Sequence, residues 1–230
     1  ELDRLLSEIR PGVKRALVVV EGHYSMDGDV PDLPALVALV RRHRASLMVD
    51  EAHSLGVLGT RGLGIAERTG VNPADVDVWM GTLSKTLSSC GGYVCASRAL
   101  IEHLKYSAPG FVYSVGMPPP VAAAALAALQ AMRAEPGRVA QLQENAAYFM
   151  AQAKAAGLDT GPSVGAAIVP VMTGSSIRAA RAADWLFKHG VNVQPIIYPA
   201  VPERAARLRF FISSLHSKPQ LARAAGLTAE

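Results

Sequence analysis

Short apolar runs, each followed by a polar loop, constrain the fold of this chain most strongly. Residues 16–20 are a continuous apolar run, which is typical of a parallel strand covered on both faces, and residues 46–49 are predicted to be the next buried strand. A stretch with helical spacing, residues 31–44, separates them, and further runs follow at 75–80 and 92–96. Alternation of strand and crossover helix predicts an α/β fold with a mostly parallel sheet.

Three polar side chains follow the ends of predicted strands. Ser25 lies in the loop after the first strand, Asp50 ends the second, and Lys85 follows the third. Ligands of α/β sheets bind outside the carboxyl ends of the strands. We therefore expect these three residues to belong to one site.

The second half of the chain has a different pattern. A long helical stretch, residues 120–156, is interrupted at residues 135–137 by Glu-Pro-Gly, where we place a domain boundary. Residues 1–135 are predicted to form part of a large domain, and residues 136–230 a smaller α+β domain. The strands predicted in the smaller domain are residues 168–172, 191–197 and 208–212, and a weak helix is predicted at the end of the chain.

Composition excludes several classes of function. The chain has 230 residues, 50% of them hydrophobic, and a net charge of +4. Its basic residues are scattered without interleaved aromatic residues, so we predict no nucleic-acid groove. No apolar run reaches the roughly 20 residues of a membrane span. Cys90 and Cys95 are expected to be small buried residues of a cytoplasmic protein. Because Glu1 begins within a helical pattern and is not Met, we expect a piece of a longer chain.

Asp50 requires a compensating partner, since a carboxylate at the end of a buried strand is costly when unpaired. The protonated ring nitrogen of pyridoxal phosphate (PLP) would supply one, and PLP acts as an electron sink while that nitrogen stays protonated. His53 could donate to the phenolic oxygen on the other edge of the ring. The Asp-Glu-Ala-His sequence that begins at Asp50 is also compatible with a metal-ligand pair. No third ligand with suitable spacing is near, so we assign no metal.

Lys85 by itself is most simply a solvated turn residue. With Asp50 and His53 also placed after a strand end, it becomes a candidate for the Schiff-base amine of PLP. A lysine held away from water loses its proton more readily, so we expect Lys85 to be desolvated. The hydroxyls of Thr82 and Ser84 are suited to a phosphate group, although each is also a common turn residue.

Arg209 lies on a predicted strand of the smaller domain. Its guanidinium could bind a substrate carboxylate through two hydrogen bonds. The alternative is an ordinary surface arginine on an alternating strand.

Together these segments resemble the α-oxoamine synthases, which are PLP enzymes of aminotransferase fold type I. The resemblance covers essentially the whole chain and depends on five motifs in family order. They are Glu21-Gly-His-Tyr-Ser-Met-Asp-Gly-Asp29, Asp50-Glu-Ala-His-Ser-Leu-Gly56, Gly81-Thr-Leu-Ser-Lys-Thr86, Tyr113-Ser114 followed by Pro118-Pro119, and Arg207-Leu-Arg209 followed by Ser213 and His216.

The resemblance implies a role for each residue that would contact the cofactor. Lys85 would form the Schiff base with PLP, and Asp50 would pair with the ring nitrogen. His53 would contact the ring oxygen, with Ser25 nearby, and Thr82 would hold the phosphate.

The resemblance also implies a homodimer with a shared active site. Ser114 would reach the phosphate of the neighbouring subunit's cofactor, and Arg209 would bind the carboxylate of the amino acid. The family's upstream region, with its glycine-rich turn and the histidine that stacks on PLP, has no counterpart here. The chain therefore resembles the C-terminal portion of the family, and we expect it to bind PLP poorly by itself.

The implied activity is that of an acyltransferase. It would condense an amino acid with an acyl thioester, carried by CoA or a carrier protein, to give an α-oxoamine with decarboxylation. Two alternatives remain open: a fold-type I aminotransferase, and a PLP-fold subunit that serves as a non-catalytic scaffold. Neither the amino acid nor the length of the acyl chain follows from the sequence.

Overall fold

The computed structural model describes all residues from Glu1 to Glu230, which form two compact units. Unit 1 comprises Glu1–His23 and Val30–Pro136, and unit 2 comprises Tyr24–Asp29 and Gly137–Glu230. The short segment Tyr24–Asp29 contacts mainly unit 2, although the chain on either side of it belongs to unit 1.

Unit 1 contains a four-stranded sheet. Its strands are β1 (Leu17–Glu21), β2 (Ser46–Asp50), β3 (Val78–Thr82) and β4 (Gly92–Ala96), in the order β1-β2-β3-β4. The first three are parallel, as the sequence predicts, and β4 runs antiparallel to β3. Residues 83–91, which connect β3 to β4 and carry Lys85, are called the lysine loop. This loop is too short for the crossover that a parallel pair of strands requires.

Helices accompany this sheet. They are α1 (Leu2–Ile9), α2 (Leu33–Arg42), α3 (Ile65–Thr69), α4 (Arg98–Ser107), α5 (Pro109–Val112) and α6 (Pro119–Ala134). Helix α2 begins at an N-cap, Asp32, whose carboxylate accepts a hydrogen bond from the amide of Ala35 at 3.0 Å. It buries Leu33, Val37 and Val40, which are spaced to lie on one face.

The expectation that the strands are covered on both faces is wrong for β1. Val18 and Val20 are buried, whereas Leu17 and Val19 on the opposite face are 55% and 56% exposed. Alternate residues of a strand point to opposite faces, so one face of β1 is not covered by unit 1. The two cysteines, expected to be buried, are also exposed. Cys95 lies on the edge strand β4 and Cys90 in the loop before it, where little of unit 1 covers them.

Unit 2 has a three-stranded antiparallel sheet. Its strands are β5 (Ile168–Met172), β6 (Gln194–Ile196) and β7 (Arg207–Phe211), in the order β5-β7-β6, and its helices are α7 (Gly137–Ala155), α8 (Ser176–Lys188) and α9 (Lys218–Ala229).

Two elements of unit 2 differ from the sequence prediction. Strand β6 is shorter than residues 191–197, because the amide of Val191 donates back to Leu186 at 2.8 Å and so closes the end of α8. The final helix, expected to be weak, is 12 residues long. It begins with a capping box in which Ser217 and Gln220 each bond the other's backbone amide.

The core of unit 2 is centred on Phe149 of α7. This side chain is 0% exposed, and its ring lies 4.8 Å from that of Phe210 on β7. The cluster is completed by buried apolar residues from the sheet and the helices of unit 2, among them Val169, Leu186 and Leu208. Packing of this kind supplies most of the stability of a small α+β unit.

Phe149→Ala is expected to lower the free energy of unfolding of unit 2 by about 3–5 kcal/mol, because it leaves a cavity in a close-packed core. Phe187→Ala on α8 is the matched control, since Phe187 is 66% exposed. Urea denaturation followed by tryptophan fluorescence measures both values. Equal losses for the two variants would contradict the central position of Phe149.

Unit 1 buries a carboxyl group directly after β2. Glu51 is 6% exposed, and its carboxylate accepts hydrogen bonds from the amide of Ile65 at 3.1 Å and from the hydroxyl of Ser54. Burial raises the pKa of Glu51 above its usual value of 4.5, because the charged form loses hydration that these two bonds only partly replace. Glu51 thereby anchors the loop that follows β2 to the first residue of α3.

The raised pKa has a defined effect on stability. The folded protein holds this proton to higher pH than the unfolded chain does, so the contribution of Glu51 is fully present below about pH 4.5 and declines as the pH rises through the folded pKa. Glu51→Gln keeps the shape and stays neutral. Its free energy of unfolding, relative to the parent, is therefore expected to increase from about pH 4 to about pH 7.

Glu67→Gln is the control of opposite sign. Burial acts to raise the pKa of Glu67, but hydrogen bonds from Leu63, Arg61 and Thr60 outweigh it and lower the pKa. That variant should lose stability, relative to the parent, over the same pH range. Parallel pH profiles for the two variants would refute the assignment for Glu51.

Candidate active site

Asp50 lies at the carboxyl end of β2, half-buried between β1 and β3. The register pairs it with Glu21 on one side and with Met80 on the other. Its carbonyl accepts a hydrogen bond from the amide of Gly22 at 2.8 Å, and the next amide, of Glu51, donates to Met80 at 2.8 Å. One oxygen of the Asp50 carboxylate accepts from the amide of Ala52 at 2.7 Å. The backbone on both sides of the carboxylate is therefore fixed.

The loop after Asp50 is a tight turn that carries His53. The amides of Ser54 and Leu55 both donate to the carbonyl of Glu51 at 3.1 Å. His53 is half-buried within this turn, three residues after Asp50. The turn therefore keeps the imidazole close in sequence and in space to the end of β2.

The lysine loop leaves the carboxyl end of β3. The hydroxyls of Thr82 and Ser84 lie 2.7 Å apart, and the Thr82 hydroxyl also donates to Gly91 at 3.2 Å. Lys85 lies in the turn that follows, where its carbonyl accepts from the amide of Ser88 at 2.9 Å. Its side chain is exposed, so the expected desolvation of Lys85 is not provided by this chain.

Sequence reasoning missed Tyr93, which packs over Gly81 from the neighbouring strand β4. A Cβ atom at Gly81 would lie 2.5 Å from the Tyr93 hydroxyl oxygen, so only glycine fits under the ring. Burial, together with the nearby charges of Glu51, Cys95 and Asp50, raises the pKa of Tyr93 to about 12. The phenol therefore stays protonated at neutral pH. The sequence did carry a signal for this contact, because a glycine and an aromatic residue occur on two strands that were predicted to follow each other.

Unit 2 brings together Arg209 and Ser25. A terminal nitrogen of Arg209 (Nη1) donates to the carbonyl of Ser25 at 3.0 Å, and its guanidinium lies 4.7 Å from the centre of the Phe211 ring. The Nε atom of Arg209 is buried and has no hydrogen-bond partner in the protein. Burial lowers the pKa of Arg209. A buried guanidinium nitrogen without a hydrogen-bond partner is costly, and an anionic ligand that accepts a hydrogen bond from it would remove that cost.

A second arginine, which sequence reasoning passed over, holds the Ser25 segment in place. Arg207 is 4% exposed, forms an ion pair with Asp27, and donates to the carbonyl of Met26 at 3.1 Å. Arg207 and Arg209 are two residues apart on β7 and so point to the same face. Their i, i+2 spacing in the motif was the signal for this arrangement.

Ser114 is placed differently from the other predicted residues. It lies in the exposed stretch between α5 and α6, and its hydroxyl donates only locally, to Phe111 at 3.4 Å. Within unit 1 it makes no hydrogen bond to Asp50, Thr82 or Lys85. The predicted role of Ser114 toward the cofactor of a neighbouring subunit stays a prediction.

The polar groups at this edge of the sheet in unit 1 are of the chemical types that PLP requires. A carboxylate at the end of β2 and a pair of hydroxyls with an accessible amine after β3 lie at the same edge of one sheet. These groups match the ring nitrogen, the phosphate and the aldehyde of PLP. No group of three or more His, Cys, Asp or Glu residues is arranged to hold a metal ion. None of the helices combines the length with the hydropathy that a membrane span needs.

Comparison with known proteins identifies similar chains. The 8-amino-7-oxononanoate synthase of Symbiobacterium thermophilum is 41% identical over 221 residues, which cover 96% of this chain and 56% of that protein. The serine palmitoyltransferase of Sphingomonas wittichii has a solved structure that is 30% identical with a TM-score of 0.91, covering 99% of this chain and 57% of that one. A structure of SPT with PLP as internal aldimine is 29% identical with a TM-score of 0.90, covering 99% and 58%.

These matches confirm the predicted resemblance and the α/β fold of the fold type I PLP-dependent transferases. The chain spans a little over half the length of the relatives it matches. The aminotransferase class I and II family matches residues 1–226. The chain belongs to the aminotransferase class I and II family.

Proposed function

We propose that this chain is the lysine-bearing part of a PLP-dependent acyltransferase of the α-oxoamine synthase type. Its substrates are an amino acid and an acyl thioester, carried by CoA or a carrier protein. The observation that carries the proposal is the placement of Asp50 and the Lys85 loop at the carboxyl ends of two paired parallel strands. The names of the similar proteins support the acyl-transfer reaction over transamination.

Five residues of unit 1 would hold the cofactor. Asp50 would keep the ring nitrogen protonated through its carboxylate, and His53 would donate to the ring oxygen. The Thr82 hydroxyl, with that of Ser84 beside it, would donate to the phosphate. The Lys85 amine is accessible for covalent attachment. When bound, PLP supplies an electron sink for the negative charge that develops at the amino acid's Cα.

The protein's own part in the reaction is proton transfer and orientation. Lys85 would take the proton from the Cα atom of the amino acid, and the Asp50 carboxylate would hold the proton on the ring nitrogen of bound PLP. A bond would then form between Cα and the thioester carbonyl carbon as the carbon–sulfur bond breaks, and the thiol would leave with a proton from solvent. Loss of carbon dioxide, with Lys85 returning a proton to Cα, would give the α-oxoamine. Arg209, with its unpartnered Nε, would bind the substrate carboxylate.

A second copy of the chain is the proposed partner. An apolar stretch around Ser114 is strongly exposed: Tyr113 and Val115 are 89% and 93% exposed, and Phe111 is 64% exposed. Contiguous exposed apolar residues mark interaction surfaces. In a homodimer, this stretch would carry Ser114 toward the partner's cofactor. The predicted cytoplasmic location is part of the same proposal.

Lys85→Ala is expected to abolish the covalent PLP adduct at this site, because no other amine lies in the loop. PLP in excess, borohydride reduction and peptide mass spectrometry measure the adduct. Lys105→Ala is the control, since Lys105 is an exposed helix lysine paired with Glu102 at 3.0 Å. An undiminished total of borohydride-trapped label in the Lys85→Ala protein, carried by another lysine, would refute the assignment.

Arg209→Lys is expected to raise the KM for the amino acid about tenfold or more, because the planar two-donor contact is lost. The KM for the acyl thioester should stay unchanged. Release of the free thiol, followed colorimetrically, measures both. Arg178→Lys, an exposed helix position, is the control. Amino-acid consumption without thiol release in the parent would instead indicate an aminotransferase, and no reaction at all would indicate a scaffold.

A further inference from the structure

The loop that carries Lys85 and the loop that carries Asp50 and His53 are joined by a contact that the proposed chemistry does not use. Thr86 directly follows Lys85, and Gly56 lies in the other loop, three residues after His53. The Thr86 hydroxyl donates to the carbonyl of Leu55 at 2.7 Å and is half-buried. This hydrogen bond joins two segments that are 31 residues apart in sequence.

The same threonine packs its methyl group against Gly56. A Cβ atom at Gly56 would lie 2.2 Å from the Thr86 methyl carbon and 2.6 Å from its hydroxyl oxygen. Gly56 also has a φ of +79°, a conformation that residues with a side chain rarely adopt. The two loops therefore meet at a site where one residue must be glycine and the other supplies both a donor and a methyl group.

Most of the other hydrogen bonds near Lys85 lie within its own loop, and one, from the Ser89 hydroxyl to the carbonyl of Val121 at 2.6 Å, joins the far end of the loop to α6. The amide of Leu83 donates to Gly91 at 3.0 Å, and the amide of Ser89 donates to Leu83 at 2.8 Å. These bonds close the base of the loop but do not orient it against β2. The contact of Thr86 with Leu55 and Gly56 supplies that orientation from a position next to the lysine.

We propose that Thr86 is a positioning residue that holds the lysine loop against the Asp50–Gly56 loop. We call its hydrogen bond to Leu55 and its packing against Gly56 the clasp. This clasp fixes the direction in which the Lys85 amine is presented to a cofactor paired with Asp50. The inference rests on the proposed function for its purpose, but the clasp itself is a property of the protein without cofactor. The Thr86 hydroxyl makes the hydrogen bond between the loops, and the Thr86 methyl group packs against Gly56.

Hydrogen exchange tests the clasp directly. Thr86→Val keeps the shape and removes the donor, so amide exchange should accelerate several-fold, up to roughly tenfold, in peptides covering residues 50–56 as well as 82–91. Thr86→Ser, which keeps the hydroxyl, should restore slow exchange in both. Thr228→Val is the matched control, since its hydroxyl also donates to a carbonyl at 2.7 Å, but in α9 of unit 2. Faster exchange in residues 82–91 alone would overturn the clasp.

PLP labelling tests its consequence. With excess PLP and borohydride, the share of label on Lys85 relative to the other lysines should fall several-fold in Thr86→Val and recover in Thr86→Ser. An unchanged share, despite accelerated exchange in both loops, would overturn the positioning role. If the parent itself shows no preference for Lys85, the proposed function fails, and the exchange result alone decides the clasp.

Discussion

The parallel pairing of β2 with β3 is the constraint on which the candidate site depends. Asp50 and Met80 are partners in the ladder, and the amide of Glu51 continues the pairing beyond the strand end. Each strand then turns away into a loop at the same edge of the sheet. The Asp50 carboxylate at the end of β2 and the loop that carries Lys85 therefore lie at the same edge of the sheet, although no long-range sequence signal joins them.

Contacts of buried or closely packed side chains then fix the loops that follow β2 and β3. Glu51 is buried with two donors and anchors the start of its loop to α3. Tyr93 occupies the space over Gly81, and Thr86 occupies the space over Gly56. Each of these contacts leaves the position with one suitable residue type. In unit 2 the ion pair of the buried Arg207 with Asp27 has the same effect on the segment that contains Ser25.

The sequence was sufficient for features that depend on local pattern. Apolar runs located the four strands of unit 1. The rule that ligands bind at strand ends selected Asp50 and Lys85, whose roles stay predictions. It was insufficient where exposure depends on what packs from elsewhere. The apolar runs of β1 and β4 suggested burial, yet Val19 is 56% exposed and Cys95 is exposed, since no element of unit 1 covers them. The roles of Tyr93, Thr86 and Arg207 required cross-strand register and loop contacts, which periodicity does not encode.

A crystal structure of the chain grown with PLP tests the central claim most directly, because it locates the cofactor relative to both loops. The account predicts electron density for the ring beside the Asp50 carboxylate, continuous with the side chain of Lys85, and phosphate density at the hydroxyls of Thr82 and Ser84. Cofactor density attached to another lysine, or bound away from the carboxyl ends of β2 and β3, would contradict it.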